Sequence, residues 1–208
     1  MSQKNKILIS ILVILYTVGV FGILTPQYRN MFLALSDVNL FLSFLILLIA
    51  RNQKDRNWYV FIAFAFIVGM AVEWIGVHTG YLFGNYEYGQ NLGRKFDGIP
   101  LVIGCNWALI VVSSATFAKH FFKHTYLTPF FAAIIMVSLD IFMEPVAVSS
   151  DFWRWTDGYI PIYNYVCWLF IGLVLQLIYH FFKLNEANKV NDALFVIMSL
   201  FFIILNIF

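Results

Sequence analysis

The sequence predicts an all-α fold, a polytopic integral membrane helix bundle of about seven transmembrane helices, with residues 1–208 forming a single transmembrane helical domain. Three observations predict it. Of 208 residues, 62% are hydrophobic and 12% charged, whereas a soluble domain carries roughly 25% charged residues. Mean hydropathy is +0.81, which leaves too little polar surface to cover a water-soluble globule. The apolar runs are also continuous. Only helices and closed barrels satisfy their backbone in lipid, and barrel strands alternate apolar with polar residues.

A span needs about 20 apolar residues, and the candidates are 7–24, 31–50, 58–77, 99–122, 127–148, 160–182 and 190–208. The first follows Lys4 and Lys6, as a signal peptide would. It lacks a small-residue cleavage site, and Pro26 and Arg29 come directly after it, so an uncleaved first span is expected. Between the third and fourth spans, GYLFGNYEYGQNLGRKFDG is a turn-rich excursion: its glycines and Asn85 favour turns, and its tyrosines suit a membrane interface. The fifth and sixth spans are joined by a second elaborate loop, 149–159. No internal repeat or low-complexity tract interrupts the pattern. Cys105 and Cys167 both fall within spans, where apolar packing is their expected role.

Seven spans place the termini on opposite sides. One side then carries Lys4, Lys6, Arg51, Lys54, Arg56, Lys119, Lys123, Lys183 and Lys189, and the other only Arg29, Arg94, Lys95 and Arg154. The positive-inside rule makes the N-terminus cytoplasmic and puts Phe208 outside. The basic residues sit in short loops and form no cluster suited to nucleic acid.

Four carboxyl groups lie inside apolar runs: Asp37, Glu73, Asp140 and Glu144. A charge near mid-helix costs roughly 2.5–3.5 kcal/mol to insert, and no Lys or Arg lies deep in a span to pair with them. Glu73, Asp140 and Glu144 fall in the outer halves of their spans, and Asp37 near the outer end of its own. Asn106 and Trp107 open the fourth span, and Asn164 and Trp168 the sixth, on the same side. Polar residues from five spans therefore share one layer. Asp140 and Glu144, four apart, project from one helix face. The plain alternative is that these groups glue helices or reach interfacial water; it carries most weight for Asp37, close to a span end. His78, also at a span end, fits an interfacial role.

Desolvation favours the neutral form of a carboxyl group, and a second carboxyl nearby strengthens that preference. A neutral acid in lipid can protonate a weak base, including an isoprenoid C=C bond. Aromatic faces stabilise the resulting carbocation by about 0.5–2 kcal/mol each without attacking it, and Trp74, Trp107, Trp153, Trp155 and Trp168 adjoin the layer. Hydration, isomerisation and cyclisation are the outcomes open to such a cation.

The stretches EWIGVHTGYLFGNYEYGQNLG (73–93), IPLVIGCNW (99–107), LDIFMEPVA (139–147), the W-x-W of Trp153 and Trp155, and YNYVCW (163–168) together resemble the membrane carotenoid 1,2-hydratases, the bacterial γ-carotene 1′-hydratases and archaeal bisanhydrobacterioruberin hydratases. The resemblance covers roughly residues 70–170. It implies addition of water to the terminal C=C of a linear carotenoid ψ-end group in a prokaryotic cytoplasmic membrane, with no redox or metal cofactor. Carotenoid, water and the bilayer are the implied partners. Mapped onto this chain, Glu73, Asp140 and Glu144 supply the proton and activate water, with the proton expected on the Asp140 and Glu144 face and the water at Glu73. Asn106 and Asn164 orient water or an acid, and Asp37, Trp74, Trp107, Trp153, Trp155 and Trp168 complete the substrate-binding set. Gly76, Gly80, Gly84 and Gly93 fit close packing and turns.

Membrane lycopene-type cyclases use comparable acid-initiated chemistry but exclude water, and the density of Asn, Tyr and acids leans towards water. A proton-coupled transporter of lipid or small molecules would also bury acids, yet no half of the chain repeats with matching broken spans. A retinal protein would need a lysine in the last span, and 190–208 has none. The histidine pair His120 and His124 sits beside Lys119 and Lys123 at the inner end of the fourth span and reads as a positively charged helix end.

Overall fold

The computed structural model describes residues 1–52, 56–122, 127–184 and 186–208. Lys54, Lys123 and His124 lie outside the described residues. Helix α1 (Gln3–Leu24) begins where the Ser2 hydroxyl accepts the Asn5 amide, satisfying a first-turn donor. It ends at Thr25, held extended before Pro26.

The expected second span is broken. Helices α2 (Arg29–Ala34) and α3 (Ser36–Ala50) meet at Leu35, where φ −95° and ψ 6° leave the helical region. Ser36 and Asp37 follow at once. Both residue types compete with the helical backbone for hydrogen bonds, and an acid suits the positive end of the new helix. The 15 residues of α3 rise only about 22 Å, short of a hydrocarbon core of about 30 Å. Among the described residues, six other helices are long and apolar enough to cross a membrane: α1, α4 (Arg56–Thr79), α5 (Leu101–Ala118), α6 (Thr128–Ser149), α7 (Ile162–Phe181) and α8 (Lys189–Ile207). The chain is an integral membrane helix bundle with α2–α3 as a broken seventh element.

Helix α5 is the axis of the bundle. Its span is 89% buried, against 28% for α1, and α3, α4, α6, α7 and α8 all pack on it. Gly104, Ala108, Ser113, Ser114 and Ala115 are small enough to let neighbours approach closely. Gln176 of α7 donates to the Val111 carbonyl and the Ser114 hydroxyl, both at 2.9 Å. Large apolar side chains such as Phe21, Ile67 and Phe170 face outward, as lipid-facing positions require.

Contacts sort the loops between two ends. Arg51 donates to the Leu184 carbonyl at 2.9 Å, and Asn188 to that of Ala50 at 3.1 Å, joining the turns after α3 and α7. At the other end, Arg29 reaches the Ser149 carbonyl. There the excursion between α4 and α5 contains short strands that the sequence suggests only as turns. Strands β2 (Lys95–Phe96) and β3 (Ile99–Pro100) form a hairpin across Asp97 and Gly98, both at positive φ, the requirement of a type I′ turn. Strand β1 (Tyr86–Tyr88) pairs antiparallel with β4 (Trp153–Trp155), matching Tyr86 with Trp155, Glu87 with Arg154 and Tyr88 with Trp153.

Candidate active site

Alternation decides which side chains of the β1–β4 ribbon turn inward. Successive strand residues point to opposite faces, so Glu87 and Arg154 turn outward while Tyr86, Tyr88, Trp153 and Trp155 are buried beneath. The ribbon thereby lowers two phenols and two indoles onto the ends of α4 and α6. It is pinned at both margins: the Gly89 amide donates to the Phe152 carbonyl, and that of Thr156 to the Asn85 carbonyl, both at 2.9 Å. Asp151 accepts the Gln90 amide and the Arg154 guanidinium, and these donors, the Gln90 amide foremost, hold its carboxyl below the usual aspartate range.

Under the ribbon, Glu73 accepts three hydrogen bonds. The Tyr86 and Tyr88 hydroxyls donate to Oε2 at 2.5 and 2.6 Å, and the Trp107 indole donates to Oε1 at 2.9 Å. Burial first, and then the nearby Glu73, push both phenols well above their ordinary range, so they stay protonated as donors. Glu144 also accepts three: the Trp153 and Trp155 indoles on Oε2 at 3.0 and 2.9 Å, and the Asn164 amide on Oε1 at 3.0 Å. The same Asn164 nitrogen donates to Asp140 Oδ2 at 2.9 Å, bridging the two acids of α6. Asp140 Oδ1 is buried with no hydrogen-bond partner among the described residues. The three acids are at most 5% exposed, and the ion pairs among the described residues do not include them. Pro145, next to Glu144, cannot supply the helical hydrogen bond to the Ile141 carbonyl.

These groups wall a cavity of about 30 Å³, close to the volume of one water molecule. Eight residues singled out in the sequence line it: Glu73, Glu144, Asn106, Asn164, Trp107, Trp153, Trp155 and Trp168. Trp107 and Trp168 stack with centroids 4.3 Å apart and planes 16° from parallel, giving a flat aromatic wall. Asp140 lies behind the cavity and reaches it through Asn164.

Two sequence candidates stand elsewhere. Trp74 is 43% exposed, stacks on His78 and donates to Asp97 at 2.7 Å; it neighbours Glu73 in the chain, but one step along a helix turns a side chain about 100° away. Asp37 sits in the first turn of α3 beside Gly93 and lines a different groove together with Arg94. Its position matches an acid at a helix N-terminus. His120 meets Asp192 at 2.8 Å, far in the chain's topology from the acids. The sequence reading missed Tyr86, Tyr88 and Phe83. The Y-E-Y and W-R-W alternations were its available signal, since period two marks half-buried strands. Phe83 gave none: it lies at φ 66°, a conformation uncommon for a bulky residue, and packs against Tyr86 and Trp107.

A sequence family described as carotenoid biosynthesis protein matches residues 30–208. A bisanhydrobacterioruberin hydratase of Haloarcula japonica is 27% identical over 123 residues, covering 53% of this chain and 40% of that relative. The chain thus aligns with about two fifths of the relative's length. No solved structure gives a significant match.

Proposed function

The chain belongs to the carotenoid biosynthesis protein family, and we propose that it is a cofactor-independent hydratase adding water across the terminal C=C of a linear carotenoid. The observation that carries this reading is a water-sized, aromatic-walled cavity faced by two carboxyl groups from different helices. The name of the Haloarcula relative supports it.

The partners of each acid suggest a division of labour. Indole and amide N–H groups can only donate, whereas a phenol can donate or accept. Glu144 is surrounded by N–H donors alone, a set that suits a carboxylate. Glu73 Oε2 meets two phenols and can carry a proton that a tyrosine oxygen accepts. This favours Glu73 as the acid and Glu144 as the base, the reverse of the division drawn from the sequence. Glu73 gives its proton to the less substituted alkene carbon, and a tertiary cation forms at the other. The water oxygen bonds to that carbon and loses a proton to Glu144. Return of that proton to Glu73 closes the cycle, with net addition of one water. The Trp107–Trp168 wall and the indoles of β4 would stabilise the cation by about 0.5–2 kcal/mol each. Asp140 acts as a positioning residue that holds Asn164 against Glu144.

Expression in cells that accumulate lycopene tests the reaction. The expected product is a pigment heavier by one water. A cyclised isomer of unchanged mass, or an unaltered pigment with well-folded protein, overturns the hydratase reading.

A further inference from the structure

The reaction cavity is too small for a carotenoid end group in addition to water, so the substrate's approach has to be sought next to it. Three cavities lie in series. The cavity at the acids, about 30 Å³, shares Ile103, Asn106, Met143 and Trp153 with a neighbour of about 70 Å³. That neighbour shares Ser36, Asn39 and Phe201 with a third of about 270 Å³, between α1 and the α2–α3 break. The third is bordered by Ile14, Val18 and Val38, all apolar and between 47% and 60% exposed on a lipid-facing surface. Side chains change from aliphatic at the mouth, through Ser36 and Asn39, to Asn106 and then the acids. Asn39 Oδ1 is buried without a hydrogen-bond partner among the described residues, an acceptor left open on the path.

We propose that the break between α2 and α3 forms a lateral portal through which one end of a linear polyene slides from the bilayer to the acids, with Phe201 as the inner gate. The proposal rests on the carotenoid reading of the site. The break borders the groove directly, since Leu35, Ser36 and Val38 line the third cavity together with Ile14, Val18 and Gly19 of α1. Gly19 lies on the α1 wall, and a Cβ there would meet the Phe201 ring at 3.4 Å, so a larger residue would fill the junction of the outer two cavities. The three cavities together hold only part of a carotenoid. The far end stays in lipid, and linear and ring-ended substrates should be accepted alike.

The test separates the portal from the chemistry. A benzophenone amino acid at position 18, in the full-length chain in lipid nanodiscs with lycopene, should on illumination attach pigment covalently. The same group at Phe170, 69% exposed on α7 and outside the lining of all three cavities, should capture at least tenfold less. Gly19→Leu should lower lycopene conversion tenfold or more, and adding Phe201→Ala should recover part of it. Equal capture at positions 18 and 170, or undiminished conversion by Gly19→Leu, overturns the portal. Loss of folding in Gly19→Leu leaves the crosslinking comparison to decide. Strong capture at position 18 with no water added to the pigment would instead sink the hydratase reading and keep the portal.

Discussion

Each acid at the site is distinguished by what donates to it. Replacing Glu144 by Gln removes a carboxylate and turns an NH2 group towards indole and amide donors, so at least one buried N–H loses its acceptor. Such an orphan costs about 1–3 kcal/mol, and conversion should fall below detection while the protein still folds. Asp140→Asn is expected to be milder. The new amide oxygen still accepts from Asn164, so turnover should drop but remain measurable; an activity equal to that of Glu144→Gln would give Asp140 a direct role. Tyr86→Phe and Tyr88→Phe each leave Glu73 one phenol, and each should slow turnover about tenfold or more, because a hydrogen bond to the carboxylate that forms as Glu73 gives up its proton is worth about 1.5–3 kcal/mol. If Glu73 is the acid, the double phenylalanine variant loses far more than the product of the single effects. Purely multiplicative rates, measured as pigment formed per unit protein, would deny the two phenols a shared proton.

The β1–β4 ribbon and the α4–α5 contact convert these residue properties into a site. Two glycines of α4 allow different predictions. A Cβ at Gly69 would lie 2.6 Å from the Cβ of Trp107, which α5 holds rigidly. Gly69→Ala should therefore separate the helices at a cost of about 1–3 kcal/mol, read as a lowered Tm. A Cβ at Gly76 would meet the Tyr86 hydroxyl at 2.7 Å and the buried Phe83 ring at 2.9 Å, both on the cavity wall. Gly76→Ala should displace the two rings and lower turnover at least as much as Tyr86→Phe. The ribbon also has a pH signature. Asp151 is held below its ordinary range by the Gln90 amide and by Arg154, so its folded value lies below its unfolded one. Its contribution is full above the unfolded value of about 3.9 and is lost as pH falls through the lower folded value. Protection of the Gln90 amide, its exchange compared with an unstructured amide at the same pH, should fall at acid pH in the parent chain, and Asp151→Asn should flatten that dependence. The ribbon explains what the sequence left hidden. Apolar runs and intramembrane acids announce themselves one helix at a time, so Glu73, Asp140 and Glu144 were legible from hydropathy. Tyr86 and Tyr88 acquire meaning only when a strand 65 positions away by register, Tyr88 to Trp153, pairs with theirs. Composition carries no trace of that pairing, and a tyrosine in a loop looks like an interfacial anchor.

At the scale of the whole bundle, the break at Leu35 is the largest departure from the sequence pattern. Hydropathy averaged over 31–50 sees one span, because Ser36 and Asp37 are outvoted by their apolar neighbours; only local backbone competition reveals the turn. The alternation of ends survives the break, since α3 still carries the chain from the Arg29 end to the Arg51 end. The sorting of basic residues then gives a topology that can be measured. Lys4, Lys6, Arg51, Arg56, Lys119, Lys183 and Lys189 close the end away from the acids, and Arg29, Arg94, Lys95 and Arg154 the end beside them. The positive-inside rule predicts that the richer end faces the cytoplasm, which would put the carboxyl cluster in the outer half of the membrane and its water supply outside. Alkaline phosphatase fused after Phe208 should be active, and a fluorescent protein at the same point should stay dark. The reverse pattern would place the acids towards the cytoplasm, and hydration would then draw on cytoplasmic water. Were the α2–α3 pair not to cross at all, every later loop would change sides. A second fusion in the loop after α3 therefore distinguishes an inverted bundle from one with six crossings.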